Sequence, residues 1–240
     1  YNTGCCMIIK RAKTFGFLMT GLAAVLMVGG VLFVWLGSDG GTAVSADPRA
    51  LYGGTSETDV ALMFNVYSGE EYIPGMLETL ADYDVKATFF IGGCWAAKNE
   101  SVLRLIAESG HEIGSHGYLH RDHSQMDVEA NLEEMKVAHK MIKGICGSDV
   151  TLFAPPSGAY SAATLDAAES MGYKTILWSK DTIDWRDHDT ALITSRATEN
   201  AEGGDFILMQ PTENTAEALP AIIDGIRAAG LNPGTVSDAL

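Results

Sequence analysis

The sequence predicts an α/β domain whose mainly parallel sheet closes into a β/α barrel, and three observations lead there. From Asp59 onward, short apolar runs alternate with longer amphipathic ones, the pattern of repeated strand–helix units. About seven such units favour a closed sheet over an open one, and the near 185 residues involved suffice for one domain with a substantial core. Finally, five polar clusters (65–69, 116–120, 155–160, 181–185 and 210–213) each follow a strand-like run. In a β/α barrel all of these meet at one rim, the carboxyl end of the strands.

The first 37 residues differ in kind. Lys10, Arg11 and Lys13 precede an uncharged run, 14–37, rich in Leu, Val, Gly and Phe. A membrane span needs about 20 apolar residues, and the apolar part of a signal peptide is shorter, about 7–15. A single transmembrane helix is therefore the better reading. A cleaved signal is the alternative, with Ala43, Ser45 and Ala46 offering a cleavage site. Basic residues before the run and none just after it place 1–13 in the cytoplasm and the rest outside, as a single-pass protein of the cell membrane. Residues 38–58, rich in Gly, Ala, Ser and Thr, read as a flexible linker to the domain at 59–240.

Within the domain, 60–64 is a buried-strand pattern, followed by a helix with Ile73, Met76, Leu77 and Leu80 on one face. Residues 86–91 form the next strand, ended by Gly92 and Gly93, and 101–109 a helix with Gly110 as its stop. A strand at 111–115 and a long helix at about 127–143 complete the first half. The second half repeats the alternation: a strand at 151–154 cut off by Pro155 and Pro156, a helix at 162–171, a strand at 174–179 and a helix at 191–201. A strand at 206–209, a helix at 215–229 and a weak strand near Thr235 and Val236 close the chain.

The whole chain carries a net charge of −15; the first 37 residues hold three basic groups and no acid, leaving 13 basic against 31 acidic residues, or −18, on 38–240. Such a surface repels polyanions and excludes nucleic acid as a partner. Cys94 and Cys146 read as two small buried thiols, since nothing in their spacing demands a disulfide.

The chemistry centres on residues 110–120, Gly-His-Glu-Ile-Gly-Ser-His-Gly-Tyr-Leu-His. His116 and His120, four apart, can reach one zinc-like ion from a single turn. Around them stand Lys-Ala-Thr-Phe-Phe-Ile at 86–91, Phe-Ala-Pro-Pro-Ser-Gly-Ala-Tyr at 153–160, Trp-Ser-Lys-Asp-Thr-Ile-Asp-Trp at 178–185 and Gly-Asp-Phe-Ile-Leu-Met-Gln-Pro-Thr at 204–212. In unbroken order over about 59–240, these resemble the polysaccharide deacetylase family, the chitooligosaccharide-deacetylase-like domains of carbohydrate esterase family 4, and most nearly its sporulation-type bacterial branch.

The resemblance implies a distorted, seven-stranded β/α barrel and metal-dependent hydrolysis of N-acetyl groups, that is, of carbon–nitrogen bonds other than peptide bonds, on cell-wall glycan such as peptidoglycan. It makes His116 and His120 metal ligands, Asp184 the carboxylate that orients an acid histidine, and Trp185 a wall of the sugar groove. Pro156 and Tyr160 belong to the same groove, and Ser157 presents the oxyanion N–H. Against this, the base position is Asn65, the ligand position that normally holds Asp is Val66, the Arg position is Ala154 and the acid position is Gln210. Neither Asn65 nor Gln210 titrates, and two imidazoles without an anionic ligand predict a divalent metal held weakly or not at all. Glu70 and Glu71 are the nearby carboxylates that could substitute. Two readings follow: a slow or rewired hydrolase, and a catalytically silent glycan-binding or scaffold protein. The substituted set Asn65, Val66, Ala154 and Gln210 favours the second.

Overall fold

The structure, a computed structural model, describes residues 47–240. The apolar run at 14–37 and the cytoplasmic segment expected before it lie outside the described residues. Among the described residues no helix is long and apolar enough to cross a membrane.

The strand β2 (Asp59–Val66) is the middle of the sheet and explains its architecture. Every residue from Val60 to Val66 is buried, which requires cover on both faces. Side chains alternate along it: Val60, Leu62, Phe64 and Val66 join the large cluster that also holds the buried helix residues, whereas Ala61 and Met63 join a smaller cluster within the curl of the sheet. The strands are β1 (Ala50–Leu51), β3 (Thr88–Ile91), β4 (Glu112–Ser115), β5 (Leu152–Phe153), β6 (Lys174–Ile176), β7 (Lys180–Asp181), β8 (Phe206–Met209) and β9 (Asn232–Gly234). Their order across the sheet is β1-β6-β5-β4-β3-β2-β8-β7, with β9 on β2, and every pairing between them is parallel.

The helices between them are α1 (Ile73–Asp82), α2 (Gly93–Ala96), α3 (Glu100–Glu108), α4 (Val128–Cys146), α5 (Ala162–Ser170), α6 (Thr190–Thr198), α7 (Glu213–Ala228) and α8 (Val236–Ala239). Their ends follow local chemistry. The Asp127 carboxylate accepts from the Ala130 N–H at 2.8 Å to start α4, and Gly147, at φ 78°, ends it in the left-handed region.

Four expectations need correction. Residues 47–58 are not a free linker, because Ala50 and Leu51 pair with Thr175 and Ile176, and Arg49 is tied to Asp47 and Asp166. The expected single strand at 174–179 is two short ones: β6 pairs with β5 and β1, then the chain passes through Leu177 to Ser179 and β7 pairs with β8. This hand-over curls the sheet, and together with β1 it makes nine hydrogen-bonded strands among the described residues in place of the seven expected. The last strand is Asn232–Gly234, while Thr235 caps α8 through a reciprocal capping box with Asp238. Cys94 and Cys146 are free thiols, each half-buried and not the fully buried pair that was expected.

Candidate functional site

The carboxyl ends of the strands surround a cleft of about 370 Å³. His116 follows β4 directly. Its backbone N–H donates to Ile91 O at 2.9 Å, and its Nδ1 lies 2.8 Å from Ala154 O. A carbonyl only accepts, so Nδ1 carries the proton and Nε2 is the free ring nitrogen. Burial, with His120 nearby, pushes the imidazole down to about 3, so it is neutral. His120 stands with its ring centroid 5.1 Å from that of His116, and burial lowers it too. The turn between them uses Gly117 at φ 71° and is held from α4, where the Glu134 carboxylate accepts from the N–H groups of Tyr118 (3.0 Å) and Leu119 (2.8 Å). The histidine pair is thus set by backbone as much as by side-chain contacts.

After β5, Pro155 and Pro156 lead into a single turn with Ser157 at φ 55°, and Ser157 lines the cleft. Gly158 is obligatory there: a Cβ would come within 2.7 Å of the Trp178 ring. On the β7 side, Asp181 lines the cleft while its Oδ1 accepts from Ile183 N–H at 2.8 Å, an Asx-type turn. Asp184 is fully buried; its Oδ2 accepts from Gln210 N–H (2.7 Å) and from the Thr215 hydroxyl (2.5 Å). Its Oδ1 has no partner, and burial raises the carboxyl to about 6 despite those two bonds. Trp185, 58% exposed, offers an aromatic wall.

Asn65 and Gln210 also line the cleft, and Asn65 Oδ1 and Gln210 Oε1 are buried with no hydrogen-bond partner. The other two substituted positions are not cleft residues. Val66 is fully buried among apolar side chains of the main cluster, on the opposite face of β2 from Asn65, and Ala154 is buried in the smaller cluster.

Of the expected groove residues, the structure brings His116, His120, Ser157, Trp185, Asn65 and Gln210 together and puts Asp184 directly behind Gln210. It does not bring Tyr160, whose hydroxyl is 3.1 Å from that of Tyr52, nor Pro156, which is buried beneath the turn. Glu70 is not part of the cleft lining: its Oε2 accepts from Trp95 Nε1 at 3.2 Å, and it lines an adjoining cavity that shares Tyr67 and His120 with the cleft. Sequence reasoning missed two wall residues. Trp178, named above only within a motif, lines the cleft. Tyr67 lies 4.2 Å, ring to ring, from His120 and 6.2 Å from His116. Its place in the 65–69 cluster, just past the end of β2, was the signal.

The donors present do not fit the three-ligand ion that such a site would hold. The available set is two neutral imidazoles; the third position is an apolar side chain packed in the core, and Asn65 supplies only a neutral amide oxygen. Among the described residues no group of three His, Cys, Asp or Glu side chains could hold a metal.

Comparison with known proteins agrees with this geometry. A family model described as polysaccharide deacetylase matches residues 52–176. A peptidoglycan-N-acetylglucosamine deacetylase of Bacillus cereus is 30% identical over 195 residues, covering 77% of this chain and 89% of that protein. YlxY of Bacillus subtilis, an uncharacterized protein, is 36% identical over 197 residues, which is 82% of this chain but only 62% of its own length. Among solved structures, BA3943 from Bacillus anthracis, a CE4 family pseudoenzyme, superposes with a TM-score of 0.78 at 31% identity, covering 80% of this chain and 69% of the other. A mutant of BA3943 with restored enzymatic activity has the same TM-score at 30% identity, covering 80% and 71%.

Proposed function

The chain belongs to the polysaccharide deacetylase family, and we propose that it is a member whose hydrolytic machinery is lost while its glycan cleft is kept. One observation carries this reading: the two cleft positions that would move protons hold the carboxamides Asn65 and Gln210, which can neither take a proton from water nor give one to a leaving amine. Each such role is worth about 10²–10⁴ in rate. The rest of the cleft supports glycan binding, with Trp185 and Trp178 as apolar walls and Ser157 in the turn beside the histidines. The proposed partner is cell-wall glycan of the peptidoglycan type, the kind of polymer named in the description of the Bacillus cereus relative. The charge pattern around 14–37 supports a place at the outer face of the cell membrane, held by that span.

The test is acetate release. The full chain should release none from N-acetylglucosamine oligomers or from peptidoglycan. Asn65→Asp, Val66→Asp, Ala154→Arg and Gln210→His together should produce chelator-sensitive release, whereas single reversions should do almost nothing, since base, acid and metal act as a unit; failure of the fourfold reversion would mean that residue 66 stays on the core face of β2, where Val66 packs, and is not the ligand position. Robust chelator-sensitive release by the unmodified chain would sink the silent reading and leave a rewired hydrolase.

A further inference from the structure

We infer that the cleft selects the de-N-acetylated form of an amino sugar, bound through its charged amine, over the N-acetylated form. The inference rests on the glycan-binding reading above and names which form of the glycan is held.

Three oxygens at and behind the cleft floor are buried without partners: Asn65 Oδ1, Gln210 Oε1 and Asp184 Oδ1. Asn65 is only 4% exposed, so its oxygen cannot be satisfied by bulk water. All three can accept hydrogen bonds, and Asp184 Oδ1 can only accept when ionised. The cleft lining adds a second carboxylate, Asp181, and contains no Lys or Arg.

An ammonium group answers every one of these features. It brings three donors, no acceptor and a positive charge. An acetamide brings one N–H and a carbonyl oxygen that itself needs a donor. Turning the amides of Asn65 and Gln210 would give that oxygen a donor, because amide orientation is soft. It would still leave the Asp181 carboxylate facing the ligand with no charge to balance it. The net charge of −18 on 38–240 also draws a cationic glycan and not a polyanionic one.

The experiment titrates the full chain in mild detergent, with chelator present throughout, against glucosamine tetramer and N-acetylglucosamine tetramer at mildly acidic pH. Tryptophan fluorescence and calorimetry give the two affinities. The free-amine oligomer should bind about tenfold more tightly, the scale of one charge-assisted hydrogen bond, and the preference should shrink as salt is raised. Asp181→Asn should abolish the preference without disturbing the fold, because Asn Oδ1 still accepts from Ile183 N–H. Trp185→Ala should weaken both oligomers alike. Equal or tighter binding of the acetylated oligomer overturns the inference and leaves the glycan-binding reading standing. A preference that persists in Asp181→Asn also overturns it, and failure to bind either oligomer overturns both.

Discussion

His116 and Asp184, on one hand, and Asn65 and Gln210, on the other, stand around one cleft but are held in opposite ways. The ring of His116 is fixed on Ala154 O, and the carboxylate of Asp184 receives two hydrogen bonds from the start of the β8–α7 connection. Asn65 Oδ1 and Gln210 Oε1 have no partner at all. The first pair matches the family's motif and the second departs from it. Side chains that also tie strands and loops together cannot be exchanged without leaving buried groups unpaired. A proton donor or acceptor aimed only at substrate can become a carboxamide of similar size at no cost to the fold. The cleft therefore survives as shape after its chemistry has gone.

The largest effect expected from breaking this contrast is at Asp184. Asp184→Ala should lower stability by about 2 kcal/mol in a urea titration, because Gln210 N–H and the Thr215 hydroxyl lose their shared acceptor. Gln210→Ala, which removes a side-chain oxygen that bonds nothing, should cost less than about 0.5 kcal/mol. If the two variants prove equally damaging, the contrast between fold-holding and substrate-facing residues is wrong.

A smaller effect separates the same groups by pH. His111 and His116 are both pushed down by burial, to about 4 and about 3, from an ordinary value of 6.5. His111 Nδ1 accepts from Ala87 N–H at 3.2 Å, so a proton there would face a donor. The unfolded chain binds protons at these histidines first, so their contribution is present above pH 6.5 and is lost as pH falls toward 4, by about 1.4 kcal/mol per pH unit for each group. Asp184 has the opposite sign. Its carboxyl is raised to about 6 from 3.8, so the folded state holds a proton that the unfolded state has lost, and stability falls as pH rises from about 4 to 6. Measured between pH 4 and 6.5, the rise in stability with pH should become shallower in His111→Gln and steeper in Asp184→Asn. A steeper rise in both would contradict the burial argument.

What could be read from the sequence divides along physical lines. The apolar runs that became β2, β3 and β8 were legible because strands covered on both faces must be largely apolar. Ala50–Leu51 and Asn232–Gly234 were not, since two or three residues carry no period, and Asn-Pro-Gly is turn-like by composition. These strands exist because β6 offers a free edge and because the start of β2, which β3 does not reach, is open to pairing. In the site, residues named by spacing and type came together, whereas Tyr67 and Trp178 were missed as walls. An aromatic residue in a core and one in a cleft look alike in sequence, and only the curl of the sheet distinguishes them. Tyr160 failed for the converse reason: one residue past the turn, its side chain turns to Tyr52.

Metal should have the smallest effect of all. A zinc ion present at a hundredfold excess over its dissociation constant would stabilise the folded state by about 2.7 kcal/mol. For a domain of this size, each kcal/mol moves the melting temperature by about 2–4 °C. His116 is well prepared to ligate, since the bond from Nδ1 to Ala154 O orients its free Nε2. Yet only His120 stands with it, and the position that would supply the anionic ligand is Val66, packed on the far face of β2 from Asn65. Glu70 is bonded to Trp95 and would have to give up that bond to help. Micromolar zinc, or a chelator in excess, should therefore move the melting temperature by less than about 1 °C. A shift of several degrees that disappears in His120→Ala would show a third ligand recruited within the cleft. Its loss in Glu70→Ala would identify that ligand, and the difference between the two sets of cleft residues would then be one of metal affinity and not of lost chemistry.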